Sequence, residues 1–184
     1  MEENRLLLKL INKRQSVRAY ADKPVEREKI ARCIEAAHLA PSACNAQPWK
    51  FIVVDDTELK NKIADTTTTK MIPMNHFTKQ APVHIVVVME NPNLSSALGS
   101  VIRDKPFTLI DVGIASIQFC LQASEEGLGT CMIGWFNEKR VKKLLNIPSS
   151  KRAVLIITTG YSASDEIREK RRKPIGDIFS YNSY

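Results

Sequence analysis

The 184-residue chain lacks the glycine-rich signatures of common nucleotide-binding folds. Neither Gly-x-Gly-x-x-Gly nor a Walker-type loop occurs, so neither a Rossmann dinucleotide site nor a P-loop is supported. The four cysteines contain no C-x-x-C pair, and no H-E-x-x-H motif or clustered acid pair is present, which argues against a metal site. The three histidines lie near no serine or cysteine motif that suggests a catalytic triad, and His84 lies in an apolar run typical of a core histidine.

Long hydrophobic runs are also missing. No stretch approaches the roughly 20 apolar residues that a membrane span needs. The apolar run Leu6-Leu7-Leu8 is interrupted by Lys9, unlike the core of a signal peptide. We therefore expect a cytoplasmic protein that does not enter a membrane. The hydrophobic fraction of 43% and the charged fraction of 26% are typical of a globular protein, and the length predicts one domain over residues 1–184.

Short apolar runs alternate with helical patterns and predict an α/β or α+β protein built in layers. The predicted strands cover residues 50–54, 83–88, 131–135 and 154–158, and the predicted helices cover residues 4–13, 26–39, 58–66, 108–126 and 137–145. The helix over 108–126 has few charges, so we expect it to be buried on nearly all sides. The segment Asp55-Asp56-Thr57 is predicted to cap the helix over 58–66, and Asn137 is predicted to cap the helix that follows it. Residues 66–80 show no clear period, and residues 90–107 are predicted to form a loop.

The stretch from Ala40 to Trp49, with the sequence APSACNAQPW, lies between a predicted helix and a predicted strand. It combines amides, a hydroxyl group, two prolines and a tryptophan. A loop held between two rigid elements is a common position for ligand contacts. Taken alone, the same residues are equally compatible with simple turn chemistry. For Cys44 we favour a passive role over a nucleophilic one.

Basic residues are concentrated near the two ends of the chain. There are 27 lysines and arginines against 20 acids, and the clusters are Lys13-Arg14 with Arg18, and Lys170-Arg171-Arg172-Lys173. Guanidinium groups bind phosphate through paired hydrogen bonds, and amides bind the edges of heteroaromatic rings. Together with the loop, the clusters suit a phosphorylated, planar ligand. The charge alone also fits a solvated surface or a polyanion-binding protein, although no stacking motif of the usual nucleic-acid modules is present.

Five motifs in order along nearly the whole chain resemble the flavin-dependent nitroreductase family. They are residues 14–18 (RQSVR), 36–51, 111–115 (DVGIA), 127–134 (GLGTCMIG) and the tail pattern Lys170-x-Arg172-x-Pro174. The resemblance implies an α+β fold of three layers, with a central, mostly antiparallel sheet flanked by helices. It also implies a homodimer with two FMN molecules at the subunit interface and a C-terminal segment that reaches across the partner.

The resemblance implies two groups of cofactor-binding residues. Those expected to hold the phosphate and the pyrimidine side of FMN are Arg14, Gln15 (through its backbone), Ser16, Arg18, Lys170 and Arg172. Those expected near the ring, as contacts or as their support, are Pro41, Ser42, Ala43, Asn45, Gln47, Ile133 and Gly134. Residues 41–43 would come from the other subunit. Asn75 lies in a segment that aligns poorly with the family pattern.

The activity implied by the resemblance is reduction of a small electron-poor molecule, such as a nitroaromatic or a quinone, by NAD(P)H in ping-pong order. The flavin carries the chemistry, so no protein residue is expected to be catalytic in itself. Arg18 is expected to stabilise negative charge on the ring. A flavin-dependent dehydrogenase or dehalogenase on the same fold is the alternative, followed by a basic polyanion-binding protein. The physiological acceptor and the choice between NADH and NADPH stay open.

Overall fold

The computed structural model describes residues 5–68, 74–90 and 105–184. Within these ranges the helices are α1 (Leu6–Lys13), α2 (Arg27–His38), α3 (Thr57–Ala64), α4 (Phe107–Glu125) and α5 (Glu138–Leu144). The strands are β1 (Trp49–Val54), β2 (Val83–Met89), β3 (Gly129–Ile133) and β4 (Arg152–Gly160). Most of the predicted loop over 90–107 and part of the segment over 66–80 lie outside the described residues.

The four strands form one sheet in the order β1-β2-β4-β3, and each neighbouring pair is antiparallel. Side chains alternate between the two faces of a strand, so the apolar run of β2 serves both faces. Ile85 and Val87 pack on the side of α2 and α4, whereas Val86 and Val88 pack on the side of α3 and α5. Helices therefore cover both faces of the sheet, and the predicted α+β fold of three layers is confirmed.

Local signals placed the ends of two helices correctly. The Asp56 carboxylate accepts a hydrogen bond from the backbone N–H of Leu59 at 2.8 Å, and the Asn137 side chain accepts one from Arg140 at 3.0 Å. Such caps satisfy N–H groups that have no partner inside the helix. Both predicted caps are confirmed.

The core histidine is also confirmed. His84 in β2 is fully buried, and its Nε2 atom lies 2.9 Å from the carbonyl oxygen of Thr78. Burial lowers the pKa of the ring to about 4, because the charged form is poorly solvated there. The ring therefore stays neutral at physiological pH and contributes to packing.

The prediction that α4 is buried on nearly all sides is wrong. Phe119 is fully buried, whereas Leu109 and Ile110 are about half exposed. By length and composition, α4 is also the one helix of the described residues that could cross a membrane, so the expectation that no stretch approaches this length is wrong for it. Its packing against α2 and the sheet is that of a core helix with one uncovered apolar face.

Strand β3 begins two residues earlier than predicted and ends at Ile133. Gly129 and Thr130 pair with β4, and Thr130 also forms a parallel bridge with Ser16. A Cβ atom on Gly129 would lie only 2.5 Å from Cγ2 of Val17. The glycine therefore lets the segment after α1 lie directly beside β3, and this contact fixes the position of residues 14–18.

The C-terminal tail, residues 162–184, lies largely on the surface. In the second half of the tail, four large apolar side chains are between 51% and 82% exposed. They are Ile175, Ile178, Phe179 and Tyr181. The resemblance implies a C-terminal segment that reaches across a partner, and within the single chain these side chains lie largely uncovered. The first half of the tail, in contrast, is attached to residues 12–16.

Candidate functional site

The two basic clusters of the sequence meet in a groove of about 320 Å³. Residues 14–18 form one wall and residues 168–172 form the other. We call it the basic groove, because six of its side chains are basic and Glu169 is its one acid. The basic side chains are Arg14, Arg18, Arg168, Lys170, Arg171 and Arg172. Both clusters come from the same chain, although more than 150 residues separate Arg14 from Lys170.

Lys170 attaches the tail to the other wall of the basic groove. Its ammonium group donates to the carbonyl oxygens of Asn12 at 2.5 Å and Arg14 at 2.8 Å. An ammonium group has three N–H donors, so one remains for a ligand. The backbone of the other wall is fixed in turn by β3, because the N–H of Val17 donates to the carbonyl oxygen of Thr130 at 2.9 Å.

The charge of the basic groove is not balanced by the chain. Within residues 5–68, 74–90 and 105–184, none of its six basic side chains has a carboxylate within 4 Å. Partial burial lowers the pKa of Lys170, and the charges of Arg14, Arg172 and Arg168 lower it further. Like charges held together disfavour the protonated form, and a bound anion reverses this effect. The basic groove is therefore suited to an anion with several oxygen acceptors.

The loop over residues 41–47 is held in an unusual conformation. Cys44, Asn45 and Gln47 have φ angles of 52°, 50° and 46°. These values lie in the left-handed region, which residues other than glycine rarely adopt. The Ser42 hydroxyl accepts from the N–H of Gln47 at 2.9 Å, and the Gln47 amide donates to the Asn45 side chain at 3.1 Å. Three such residues in four positions exceed what a simple turn requires, which favours the binding-loop interpretation.

Asp111 anchors this loop from α4. Its two carboxylate oxygens each lie 3.2 Å from the backbone nitrogen of Ala43, and the residue is 4% exposed. The sequence motif over 111–115 contained this aspartate, but the sequence analysis gave it no role. The available signal was an acid near the start of a largely apolar helix, whose other acid is the terminal Glu125, since a buried acid needs a hydrogen-bond donor.

The last two residues predicted near the ring, Ile133 and Gly134, lie at the end of β3 and directly after it. The side chain of Ile133 is 4% exposed and packs in the core on the side of α5, so only its backbone can face a ligand. A Cβ on Gly134 would have no atom within 4 Å. Neither residue lines the basic groove, and none of residues 41–47 does. Asn75 is turned inward and donates to the carbonyl oxygen of Thr67 at 3.2 Å.

Arg168 is a groove residue that the sequence analysis missed. Its guanidinium group donates to the Gln15 side chain and to the carbonyl oxygen of Ser16. The signal in the sequence was the spacing, because Arg168, Lys170 and Arg172 place a basic residue at every second position.

Comparisons with known proteins identify the family of the chain. The model of the Nitroreductase family matches residues 11–161. The chain is 32% identical over 165 residues to a protein of Archaeoglobus fulgidus provisionally named NADH dehydrogenase/NAD(P)H nitroreductase, covering 86% of this chain and 87% of the relative. It is 26% identical over 200 residues to the iodotyrosine deiodinase of Thermotoga neapolitana, covering 98% of this chain and 100% of the relative.

A solved structure matches both fold and sequence. The FMN-dependent nitroreductase of Clostridium difficile R20291 is 29% identical, with a TM-score of 0.75 and coverage of 96% of this chain and 99% of that chain. The match of the family model extends from α1 through β4 and includes one wall of the basic groove together with the loop over 41–47. The chain therefore belongs to the nitroreductase family.

Proposed function

We propose that this protein is an FMN-dependent oxidoreductase that uses NAD(P)H to reduce nitroaromatics, quinones or similar electron-poor molecules in ping-pong order. The observation that carries the proposal is the unbalanced charge of the basic groove, at the positions that resemble the phosphate motif of the family. The names of the relatives agree with it, since they include an FMN-dependent nitroreductase.

The residues of the basic groove fit the phosphate of FMN. Arg14 and Arg172 can each offer a guanidinium fork, and Lys170 has one N–H that is not engaged with the chain. Ser16 adds a hydroxyl donor. Arg18 follows Ser16 along the same wall and would place a positive charge beside the pyrimidine side of the ring. FMN, when bound, would supply the hydride transfer in both half-reactions.

A homodimer is part of the proposal. None of the residues of α1 is buried, and Leu6, Leu7 and Leu8 are at least half exposed. Helix α1 contacts α4, whose Leu109 and Ile110 are also exposed, so both of these neighbouring helices present apolar side chains that the described chain does not cover. Surfaces of this kind usually mark an interface. β1 lies at the edge of the described sheet, and the exposed apolar tail provides a segment that can be exchanged.

The dimer would complete the cofactor site. Residues 41–43, with Asn45 and Gln47 as support, would approach the FMN held by the basic groove of the other subunit. Ile133 and Gly134 would face the ring with their backbone, where the absence of a side chain on Gly134 permits a close approach. The separation of the loop from the basic groove within one chain supports this proposal.

An absorbance spectrum of the purified protein is the direct test of the function. We expect a yellow dimer whose flavin absorbance bleaches when NADH or NADPH is added and recovers when a nitroaromatic or a quinone follows. The preferred nicotinamide is the one that bleaches the flavin at the lower concentration. A colourless monomer that ignores added FMN would contradict the proposal.

A reductive dehalogenase is the second candidate. The match to an iodotyrosine deiodinase covers nearly all of both chains. Steady-state kinetics with a nitroaromatic and with iodotyrosine separate the two activities. The nitroreductase proposal predicts rapid turnover of the nitroaromatic, whereas the deiodinase candidate predicts iodide release and little nitroaromatic turnover.

Replacing Gly113 by glutamate is expected to convert the dimer into a folded monomer without flavin. Gly113 lies on the exposed face of α4, four residues from both Leu109 and Ile117, and a Cβ there meets no atom within 4 Å of the described chain. A charge at this point would be buried unpaired in the dimer but solvated in the monomer. Light scattering measures the oligomeric state, circular dichroism shows whether the variant is folded, and the flavin content shows whether FMN is retained.

Ser150→Glu is the matched control, because it adds the same charge at an exposed turn before β4. It should remain dimeric and yellow. A Gly113→Glu variant that stays dimeric would exclude this face of α4 from the interface.

A further inference from the structure

Gln15 and Arg168 are joined by a set of hydrogen bonds that we call the Gln15–Arg168 clamp. The side-chain oxygen of Gln15, Oε1, accepts from the backbone N–H of Arg168 at 3.1 Å and from its Nε at 3.2 Å. The Gln15 amide donates to the carbonyl oxygen of Glu166 at 2.7 Å. The Arg168 Nη2 atom donates to the carbonyl oxygen of Ser16 at 2.5 Å. The clamp therefore ties the tail to the opposite wall of the basic groove.

The clamp uses the polar groups that would otherwise face a ligand. Both functional atoms of the Gln15 side chain are bonded to the tail, so this side chain is engaged between the two walls of the basic groove. The guanidinium group of Arg168 is directed at the Gln15 side chain and the Ser16 backbone. These two side chains at the edge of the basic groove therefore fix the positions of neighbouring residues.

Such a tie is needed because the basic groove is repulsive in the absence of an anion. Arg14, Lys170 and Arg172 lie close together and have no carboxylate partner among the described residues. An exposed tail with this charge would move away from residues 14–18 and lose its defined position. The clamp offsets the repulsion with hydrogen bonds, so the basic groove is formed before a ligand arrives.

The identity of residue 15 matters for the same reason. A neutral amide accepts hydrogen bonds from Arg168 without cancelling its charge. A glutamate at this position would form an ion pair with Arg168 and reduce the attraction of the basic groove for an anion. Glutamine therefore combines attachment of the tail with full retention of the positive potential.

We propose that Gln15 and Arg168 are positioning residues, which hold Lys170 and Arg172 beside Arg14 for binding of the FMN phosphate. The assignment rests on the proposed function. Arg168 acts through the geometry of its hydrogen bonds, and its charge alone is not sufficient to hold the tail in position. The assignment also gives the Gln15 side chain a role that its expected backbone contact with FMN does not include.

Two variants separate geometry from charge. Arg168→Lys keeps the charge but loses the fork that reaches both Gln15 and Ser16. Gln15→Glu keeps the acceptors for Arg168, loses the donation to Glu166, and cancels one charge. Lys173→Ala is the control, because it removes a charge beside the basic groove without lining it.

The first measurement is limited trypsin digestion of the flavin-free full-length protein, with cleavage after residues 170–172 followed by mass spectrometry. We expect cleavage of the Arg168→Lys tail to be about tenfold faster than in the wild type, equivalent to losing about one net hydrogen bond. Gln15→Glu should stay within about threefold of the wild type, because its ion pair with Arg168 offsets the lost donation to Glu166. Unchanged cleavage of Arg168→Lys would overturn the clamp.

The second measurement is FMN affinity over a range of salt concentrations. Arg168→Lys should bind FMN about tenfold more weakly at every salt concentration, because the loss is geometric. Gln15→Glu should bind weakly at low salt and approach the wild type as salt screens the lost charge. Wild-type affinity in Arg168→Lys, despite a rapidly cleaved tail, would overturn the positioning role.

The two measurements also distinguish the clamp from the proposed function. If the wild-type protein does not bind FMN, the FMN proposal fails, and inorganic phosphate then replaces FMN as the probe. Protection of the wild-type tail by phosphate, with loss of that protection in Arg168→Lys, would retain the positioning role for an anion. Equal protection of the tail in both proteins would remove it.

Discussion

Replacing Arg14 or Arg172 by alanine is expected to weaken FMN binding by about 1–3 kcal/mol in each variant. Each guanidinium group lines the basic groove and has no carboxylate partner among the described residues. A charge-assisted hydrogen bond to phosphate would therefore be lost without a compensating contact. The flavin-free protein should respond in the opposite direction, because removing one of several like charges relieves their repulsion and raises the lowered pKa of Lys170.

Flavin titration and thermal unfolding, with and without FMN, check both parts of this expectation. The apo variants should unfold at a temperature equal to or above that of the wild type, and the stabilisation by FMN should shrink. Lys173→Ala removes the same charge outside the lining of the basic groove and should bind FMN nearly as the wild type does. Unchanged FMN affinity in both Arg14→Ala and Arg172→Ala would remove these residues from the site.

Local sequence signals predicted most of the fold. Apolar, β-branched runs located all four strands, and side-chain acceptors located the starts of α3 and α5. These signals depend on residues that are near each other in the chain, so they can be recognised without knowledge of the tertiary fold. The start of β3 was missed because Gly129 resembles a helix stop in sequence, whereas its function is a close contact with Val17.

Burial on α4 could not be predicted from composition. The apolar residues of a helix indicate which of its sides are unfavourable in water, but they do not indicate which element covers each side. In this chain α2 and the sheet cover the side that carries Phe119, and the described chain leaves Leu109 and Ile110 exposed. The sequence pattern did not distinguish the uncovered side of α4 from the side that packs in the core.

The site was predicted in parts. The sequence located both basic clusters, and the structure shows that they meet within one chain. The contacts that make them meet, from Gln15 to Arg168 and from Lys170 to backbone carbonyls, join residues about 150 positions apart and have no local signature. The same holds for Asp111, whose partner Ala43 lies in a loop before β1.

Replacing Gly129 by alanine is expected to lower the free energy of unfolding by about 1–3 kcal/mol and to weaken FMN binding at the same time. The new Cβ would lie 2.5 Å from Cγ2 and 2.9 Å from Cβ of Val17. A β-branched side chain has few alternative rotamers, and a clash with its Cβ involves the backbone itself. The segment over 14–18 must therefore shift, and the basic groove would lose the position of its first wall.

Val17 has little freedom to move away. It is 7% exposed, packs with Tyr20 and Ala81, and donates its backbone N–H to Thr130 at 2.9 Å. Movement of the segment would stretch this hydrogen bond and open the packing beneath it. Urea unfolding and FMN titration measure the two consequences separately. Gly176→Ala is the control, because a Cβ there meets no atom within 4 Å and should change the unfolding free energy by less than about 0.5 kcal/mol.

A double-mutant cycle identifies the cause. Val17→Ala removes the two γ-carbons that lie 2.5 Å and 3.1 Å from the new methyl group but leaves the Cβ contact. Adding Val17→Ala to Gly129→Ala should therefore cost less than Val17→Ala costs alone, with a coupling of about 0.5–3 kcal/mol. Additive effects would show that the loss in Gly129→Ala arises elsewhere. Since FMN affinity depends on the same segment, it should recover in the double variant together with stability, and this joint recovery would show that the contact of Gly129 with Val17 positions the basic groove.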